Sequence, residues 1–165
     1  MIKNLMGELI NPETLGIKLM QNYDFPCDER LATKPFIMDL PMCRVFLNDN
    51  KNFPWVVLVP RLDIMVQNVL GLSDLEYQTL CSEKRIVMKA LAEEFNETCQ
   101  LNAAEFSAVV RQFHLHLIAR NEKDVDWPKS VFDSPNKAIK YDENEKILMC
   151  ERMKNAINQV INGAK

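Results

Sequence analysis

The chain has two histidines, His114 and His116, and they stand two residues apart. They belong to the run Gln112-Phe113-His114-Leu115-His116-Leu117, in which polar and apolar residues alternate. Because alternate side chains of a strand point to the same face, this pattern predicts a strand with Gln112, His114 and His116 on one face. Two imidazoles beside an amide would bring acid–base, nucleophilic and metal-binding groups together on that surface.

Three interpretations of the histidine pair are open from the residues alone. Both imidazoles could be hydrogen-bonded structural side chains. They could be two ligands of a metal ion, whose remaining ligands would then be carboxylates or a cysteine, because the chain has no third histidine. They could also serve nucleophilic catalysis, since a neutral imidazole can attack phosphorus and a neighbouring polar row can hold phosphate oxygens.

A strand of this kind needs neighbouring strands to hold it. Five segments have the pattern of short strands: Phe36–Leu40, Arg44–Leu47, Trp55–Val59, Leu101–Ala104 and Phe113–Ala119. The first three are joined by connections too short for a crossover, which predicts an antiparallel meander.

Three segments are predicted helices. A short one covers residues 12–23, and Ser73 with Glu76 forms a capping box at the start of the longest. We expect the apolar side of that long helix to comprise Tyr77, Leu80, Cys81, Met88, Leu91 and Phe95. A final helix follows Asp142, with an apolar side of Ile147, Cys150, Met153, Ile157 and Val160. The order of elements predicts an α+β domain with helices on one face of an antiparallel sheet.

The composition narrows the class of protein. A chain of 165 residues with 47% hydrophobic residues predicts one domain over residues 1–165. The net charge of −3 argues against a nucleic acid as partner, and four scattered glycines form no phosphate-binding loop. Five cysteines without a Cys-x-x-Cys motif favour reduced thiols. No apolar run is long enough for a membrane span or a signal peptide, so we expect a cytoplasmic protein without a membrane partner.

The segment Gln112–Arg120 resembles the histidine-triad (HIT) superfamily, whose signature is His-φ-His-φ-His-φ-φ, with φ an apolar residue. Here the signature reads Gln-φ-His-φ-His-φ-φ. The likeness extends to Asp39–Val45, to Asn48-Asp49 with the Pro-Trp strand that follows, and to Asp126-Trp127-Pro128. These motifs are similar to a bacterial branch of HIT-domain hydrolases in which Gln is usual at the first position. The likeness runs from about residue 25 to about residue 132.

This resemblance implies a fold and a reaction. The fold would be a five-stranded antiparallel sheet with one long helix, followed here by a C-terminal helical extension over residues 142–162. The activity would be that of a nucleotidyl hydrolase or transferase similar to diadenosine tetraphosphate hydrolases. His114 would attack the α-phosphorus of a dinucleoside polyphosphate or a related conjugate, and water would then release a nucleoside monophosphate. His116 would hydrogen-bond the α-phosphate. Gln112 would hold an oxygen or orient a neighbour, since an amide does not deliver protons near pH 7.

The resemblance also implies the residues that bind the substrate. Asn48 or Asp49 would hold the ribose, although Asn-Asp-Asn is also common turn chemistry. Arg120 would add charge beside the phosphates, and Ser107 would donate a hydrogen bond. The branch usually has Gly-Asn where this chain has Ser107-Ala108, and Ala108 cannot replace an amide side chain. The implied partners are a nucleotide and a second copy of the chain. The resemblance implies no metal site and no cofactor besides Mg²⁺ accompanying the substrate phosphates. A nucleotide-binding sensor or partner module with little turnover is the alternative.

Overall fold

The protein is described by a computed structural model over residues 25–163. Its five strands are β1 (Phe36–Asp39), β2 (Cys43–Leu47), β3 (Trp55–Pro60), β4 (Gln100–Ala104) and β5 (Leu115–Arg120). They form one antiparallel sheet in the order β1-β2-β3-β5-β4. Its helices are α1 (Glu29–Ala32), α2 (Asp74–Glu94) and α3 (Glu143–Ile161). The α+β class and the five-stranded antiparallel sheet are therefore confirmed. The predicted helix over residues 12–23 lies outside the described residues.

The strand that carries the histidines begins two residues later than the sequence pattern predicts. Phe113 donates its backbone N–H to the carbonyl of Val66 at 2.7 Å, away from the sheet, and β5 starts at Leu115. Within the sheet, His116 lies opposite Val57 of β3 on one side and opposite Ala104 of β4 on the other. His114 therefore lies in the segment that leads into the strand, and His116 lies within it.

The two faces of the sheet have different covers. Helices α2 and α3 pack together over one face, where they bury alternate residues of β5 such as Leu115 and Leu117. The other face carries a second apolar cluster that includes Val57 and Ile118, together with Phe25 from before α1. His116 has the same strand parity as Ile118, so the histidine site lies on the face opposite the two long helices.

The start of α2 is as predicted, and its buried side differs from the prediction at Tyr77 and at Glu83. Ser73 and Glu76 form the capping box, and Leu80 and Leu91 are buried. Tyr77, however, is 47% exposed, and Glu83 is fully buried. The side of α2 that faces the sheet contains Leu80, Glu83 and Leu91. Their spacings of three and eight residues place them on one stripe of the helix. Tyr77 lies away from this stripe.

Glu83 is buried because it completes the backbone hydrogen bonds of the turn before β2. Its carboxylate accepts the N–H groups of Met42 and Cys43 at 2.7 and 2.8 Å. Burial raises the pKa of Glu83 to about 7, while these hydrogen bonds and the charge of buried Arg61 act in the opposite direction. An acidic side chain therefore connects the long helix to the sheet.

The C-terminal helix forms as predicted, with one correction to its apolar side. Asp142 and Glu145 form a capping box, and Met153 and Ile157 are buried. Ile147 is instead 60% exposed. It lies about 120° around the helix from Met153, because successive residues advance by about 100°. None of the helices within residues 25–163 is long and apolar enough to cross a membrane.

Candidate functional site

The two histidine rings are in direct contact. Their centroids are 4.7 Å apart and the ring planes meet at 81°. His114 is buried and His116 is mostly buried. The predicted placement of both side chains on one face therefore brings two imidazoles together at the beginning of β5.

A backbone carbonyl fixes the tautomer of His114. Its Nδ1 lies 2.8 Å from the carbonyl oxygen of Gln112. Because a carbonyl oxygen can only accept, Nδ1 carries the proton, and in the neutral ring Nε2 keeps a lone pair. Neutral His114 is therefore a nucleophile or base at Nε2.

Trp55 fixes the opposite tautomer of His116. The indole Nε1–H donates to Nδ1 of His116 at 3.1 Å, so the proton of the neutral ring is on Nε2. Burial is the largest cause that lowers the pKa of His116, to about 3, and the charges of His114 and Lys34 act in the same direction. His116 is therefore a neutral hydrogen-bond donor at neutral pH.

The side chain of Gln112 contacts the backbone that precedes α1. Its Nε2 donates to the carbonyl of Pro26 at 2.8 Å, and its Oε1 accepts the N–H of Asp28 at 2.7 Å. Arg30 strengthens this junction, because it donates to the carbonyl of Val109 at 3.1 Å and pairs with Asp28. Both ends of the amide hold the segment before α1 against the histidine strand.

The loop between β4 and β5 bends sharply at Ser107. Ser107 has a φ of 44°, a left-handed conformation that glycine adopts without a steric penalty. Its hydroxyl lies 3.5 Å from the carbonyl of Gln112, the same oxygen that His114 contacts. The structure therefore places Ser107 beside the histidines, whereas the adjoining Ala108 is exposed and has no polar side chain.

Aromatic rings cover the outer side of His116. Phe132 contacts its ring edge-to-face at a centroid distance of 5.2 Å, and Phe106 contacts Phe132 at 4.6 Å. Phe106 is 59% exposed. The sequence patterns did not indicate this cover, because residue 132 reaches the site through an irregular connection.

Asn48 and Asp49 follow β2 and have different surroundings. Asn48 accepts a hydrogen bond from the ammonium of Lys34 at 2.7 Å. Asp49 accepts the backbone N–H of Tyr141 at 3.0 Å and lies 3.5 Å from the ammonium of Lys146. Asp49 therefore connects the turn to the beginning of α3, and Asn48 lies toward the edge strand β1.

Arg120 is not brought to the histidines. It follows His116 by four residues of β5, which is about 13 Å along a strand. Its guanidinium is 2% exposed and donates to both carboxylate oxygens of Asp124, to Asn102 and to the carbonyl of Lys129. These contacts hold the end of β5 to the connection that follows it.

The site contains groups that the sequence patterns did not single out. Trp55 is buried in the predicted strand, and its indole also orients His116. Lys34 lies in a stretch without a motif, and only the fold brings it toward Asn48. Within residues 25–163 no group of three or more His, Cys, Asp or Glu side chains could hold a metal ion.

The chain belongs to the HIT domain family, whose model matches residues 30–123. Among solved structures, a histidine triad protein from Sinorhizobium meliloti 1021 is 30% identical with a TM-score of 0.74, over 80% of this chain and 96% of that one. One from Bradyrhizobium japonicum is 28% identical (TM-score 0.75, covering 81% and 98%). One from Marinobacter aquaeolei VT8 is 27% identical (TM-score 0.76, covering 82% and 98%). No curated protein matches the chain. The five-stranded sheet and the paired histidines are thus features of a member of the HIT domain family.

Proposed function

We propose that the protein is a nucleotidyl hydrolase or transferase that cleaves a dinucleoside polyphosphate, or a related nucleotide conjugate, at the α-phosphorus. The observation that carries this proposal is the pair of opposite tautomers. His114 presents a lone pair at Nε2, and His116 presents an N–H at Nε2 beside it. Membership of the HIT family supports the same class of reaction, since its members usually hydrolyse or transfer nucleotides.

The first step uses His114 as the nucleophile. The Nε2 lone pair attacks the α-phosphorus, the bond from phosphorus to the leaving oxygen breaks, and the electron pair leaves with that oxygen. The imidazole then carries the nucleotidyl group and a positive charge. The carbonyl of Gln112 stabilises this charge because it accepts the Nδ1–H at 2.8 Å. His116 donates to a phosphoryl oxygen.

The second step returns the enzyme to its starting form. Water attacks the phosphorus, the phosphorus–nitrogen bond breaks, and its electron pair returns to Nε2 of His114. The proton lost by the water goes to solvent. The products are a nucleoside monophosphate and the leaving group, which for diadenosine tetraphosphate is ATP.

The leaving group in this proposal needs little protonation. Gln112 replaces the first histidine of the signature, and both ends of its amide are bonded to the backbone around Pro26 and Asp28. An amide cannot act as a general acid near neutral pH. We therefore expect polyphosphate leaving groups, accompanied by Mg²⁺, to be favoured over the amine of a phosphoramidate.

The binding part of the proposal uses residues at the rim of the site. Ser107 lies close enough to the histidines to donate to a phosphate oxygen. Asn48 is the better candidate for the ribose, because Asp49 is bonded to the backbone of Tyr141. We also propose a homodimer, for which β4 is an available edge strand; light scattering after size exclusion would measure the mass.

The experiment compares wild type with His114→Ala and His116→Asn on diadenosine tetraphosphate, with AMP measured by chromatography. We expect AMP from wild type, less from His116→Asn, and none from His114→Ala. His116→Asn is the matched control, because it also removes one imidazole but leaves the nucleophile. Equal AMP release from wild type and His114→Ala would overturn the proposal.

A nucleotide-binding module with little turnover is the second candidate. The observation that favours it is Ser107-Ala108, where the bend is kept but the second residue has no amide to contact phosphates. This alternative predicts stabilisation by nucleotide that survives His114→Ala, with no AMP formed by wild type.

A further inference from the structure

Lys34 carries a half-buried ammonium between α1 and β1. Its Nζ donates to the amide oxygen of Asn48 at 2.7 Å. Within residues 25–163 no carboxylate forms an ion pair with it. An ammonium has three N–H donors, so this neutral contact leaves two of them for another partner.

The electrostatics of Lys34 favour an anion at this position. Burial lowers the pKa of Lys34, and the Asp49 carboxylate acts in the opposite direction through space. The charge of Lys34 also reaches His116, whose pKa it helps to lower. A partly desolvated cation with a neutral partner gains more from a charged acceptor than an exposed lysine does.

The sheet places Lys34 where a ligand of the histidines can reach it. Asn48 follows β2, and His116 lies on β5, with only β3 between the two strands. Strands two positions apart are separated by about 10 Å. A nucleotide that is held by the histidines at one phosphoryl group can extend across this distance toward Asn48 and Lys34.

We propose that Lys34 is a ligand-binding residue of the histidine site, whose ammonium binds an anionic phosphoryl oxygen of the nucleotide. This inference rests on the proposed function, because that function supplies the nucleotide. The phosphoryl oxygen has two possible sources, namely the 5′-phosphoryl group at the histidines or a second phosphoryl group on the ribose beside Asn48.

The test measures binding of AMP and of adenosine 3′,5′-bisphosphate by titration calorimetry. Lys34→Gln removes the charge but keeps a donor for Asn48, and Lys34→Arg keeps the charge. Lys51→Gln is the matched control, because it removes one positive charge near the same turn from a lysine paired with Glu145 at 2.9 Å. We expect Lys34→Gln to weaken binding of at least one nucleotide about tenfold, which corresponds to about 1.4 kcal/mol. Lys34→Arg and Lys51→Gln should bind as wild type does.

The two ligands distinguish the sources of the anion. Weaker binding of both nucleotides assigns Lys34 to the 5′-phosphoryl group, and weaker binding of the bisphosphate alone assigns it to a phosphoryl group on the ribose. If folded Lys34→Gln binds both nucleotides as wild type does, the inference is overturned and the proposed function stands. An equal loss of affinity in Lys51→Gln has the same consequence. If wild type binds neither nucleotide, the proposed function fails together with the inference.

Discussion

Glu83 and His116, on opposite faces of the sheet, should give the stability of the protein opposing pH dependences. Glu83, on the buried side of α2, has its pKa raised to about 7 from an ordinary value of 4.5. His116, in the site, has its pKa lowered to about 3 from 6.5. The two contributions to the free energy of unfolding oppose each other. Substitution of one residue should therefore expose the pH dependence that the other contributes.

The sign follows from which state of the protein binds the proton first. Folded Glu83 binds its proton at a higher pH than the unfolded chain, so its stabilisation is complete below pH 4.5 and is lost as the pH rises through about 7. His116 behaves in the opposite way. The unfolded chain binds its proton first, so stability is lost as the pH falls below 6.5 toward about 3.

The magnitudes are similar over the range that can be measured. Between about pH 7.5 and about pH 5, proton linkage with these pKa values gives Glu83 a gain of about 2 kcal/mol and His116 a loss of about 2 kcal/mol in the free energy of unfolding. The two contributions nearly cancel in wild type. Glu83→Gln should therefore lose about 2 kcal/mol on acidification relative to wild type, and His116→Gln should gain about as much.

Urea unfolding at the two pH values, followed by circular dichroism, measures these differences. Comparison of each variant with wild type removes the contributions of other carboxyl groups, such as Asp124, that all three proteins share. Both variants keep a neutral side chain that can form hydrogen bonds. Parallel pH profiles for wild type and Glu83→Gln would refute the reasoning about the buried carboxyl group.

Three further substitutions test individual contacts. Trp55→Phe removes the donor to His116 and should lower turnover about tenfold, with a change of the His116 tautomer in nitrogen NMR spectra; an unchanged tautomer would contradict the assignment. Arg120→Lys should reduce the free energy of unfolding by about 3 kcal/mol without changing KM, as measured by urea unfolding and kinetics, because its guanidinium pairs with Asp124 in a buried connection. A raised KM would instead show that Arg120 contributes to substrate binding. Ser107→Gly should increase the free energy of unfolding by up to about 1 kcal/mol, since glycine relieves the strain of the positive φ. Urea unfolding measures this as a higher midpoint, and a lower midpoint would contradict it.

Much of the fold follows from local pattern. The meander of β1, β2 and β3 can be predicted because prolines and an Asn-Asp-Asn turn separate the apolar runs. Each of the two capping boxes is formed within four consecutive residues. Strand alternation also predicts that His114 and His116 share a face. These features depend on neighbouring residues, which a sequence displays directly.

The parts that could not be predicted depend on contacts between distant residues. Glu83 is buried because a turn about forty positions earlier exposes two N–H groups, and no helical periodicity encodes that turn. Gln112 bonds to the backbone around Pro26, more than eighty residues away. Arg120 ends an apolar strand, where a charged residue is usually exposed, yet Asp124 and Asn102 enclose it.

The central claim is that Nε2 of His114 attacks the α-phosphorus and carries the nucleotidyl group. The most direct measurement is rapid quenching in base of wild type mixed with diadenosine tetraphosphate, followed by peptide mass spectrometry. The account predicts an adenylyl group on the peptide containing residue 114, located on His114 by fragmentation and absent from His114→Ala. An adenylyl group on His116, or AMP release from His114→Ala at the rate of wild type, would contradict it.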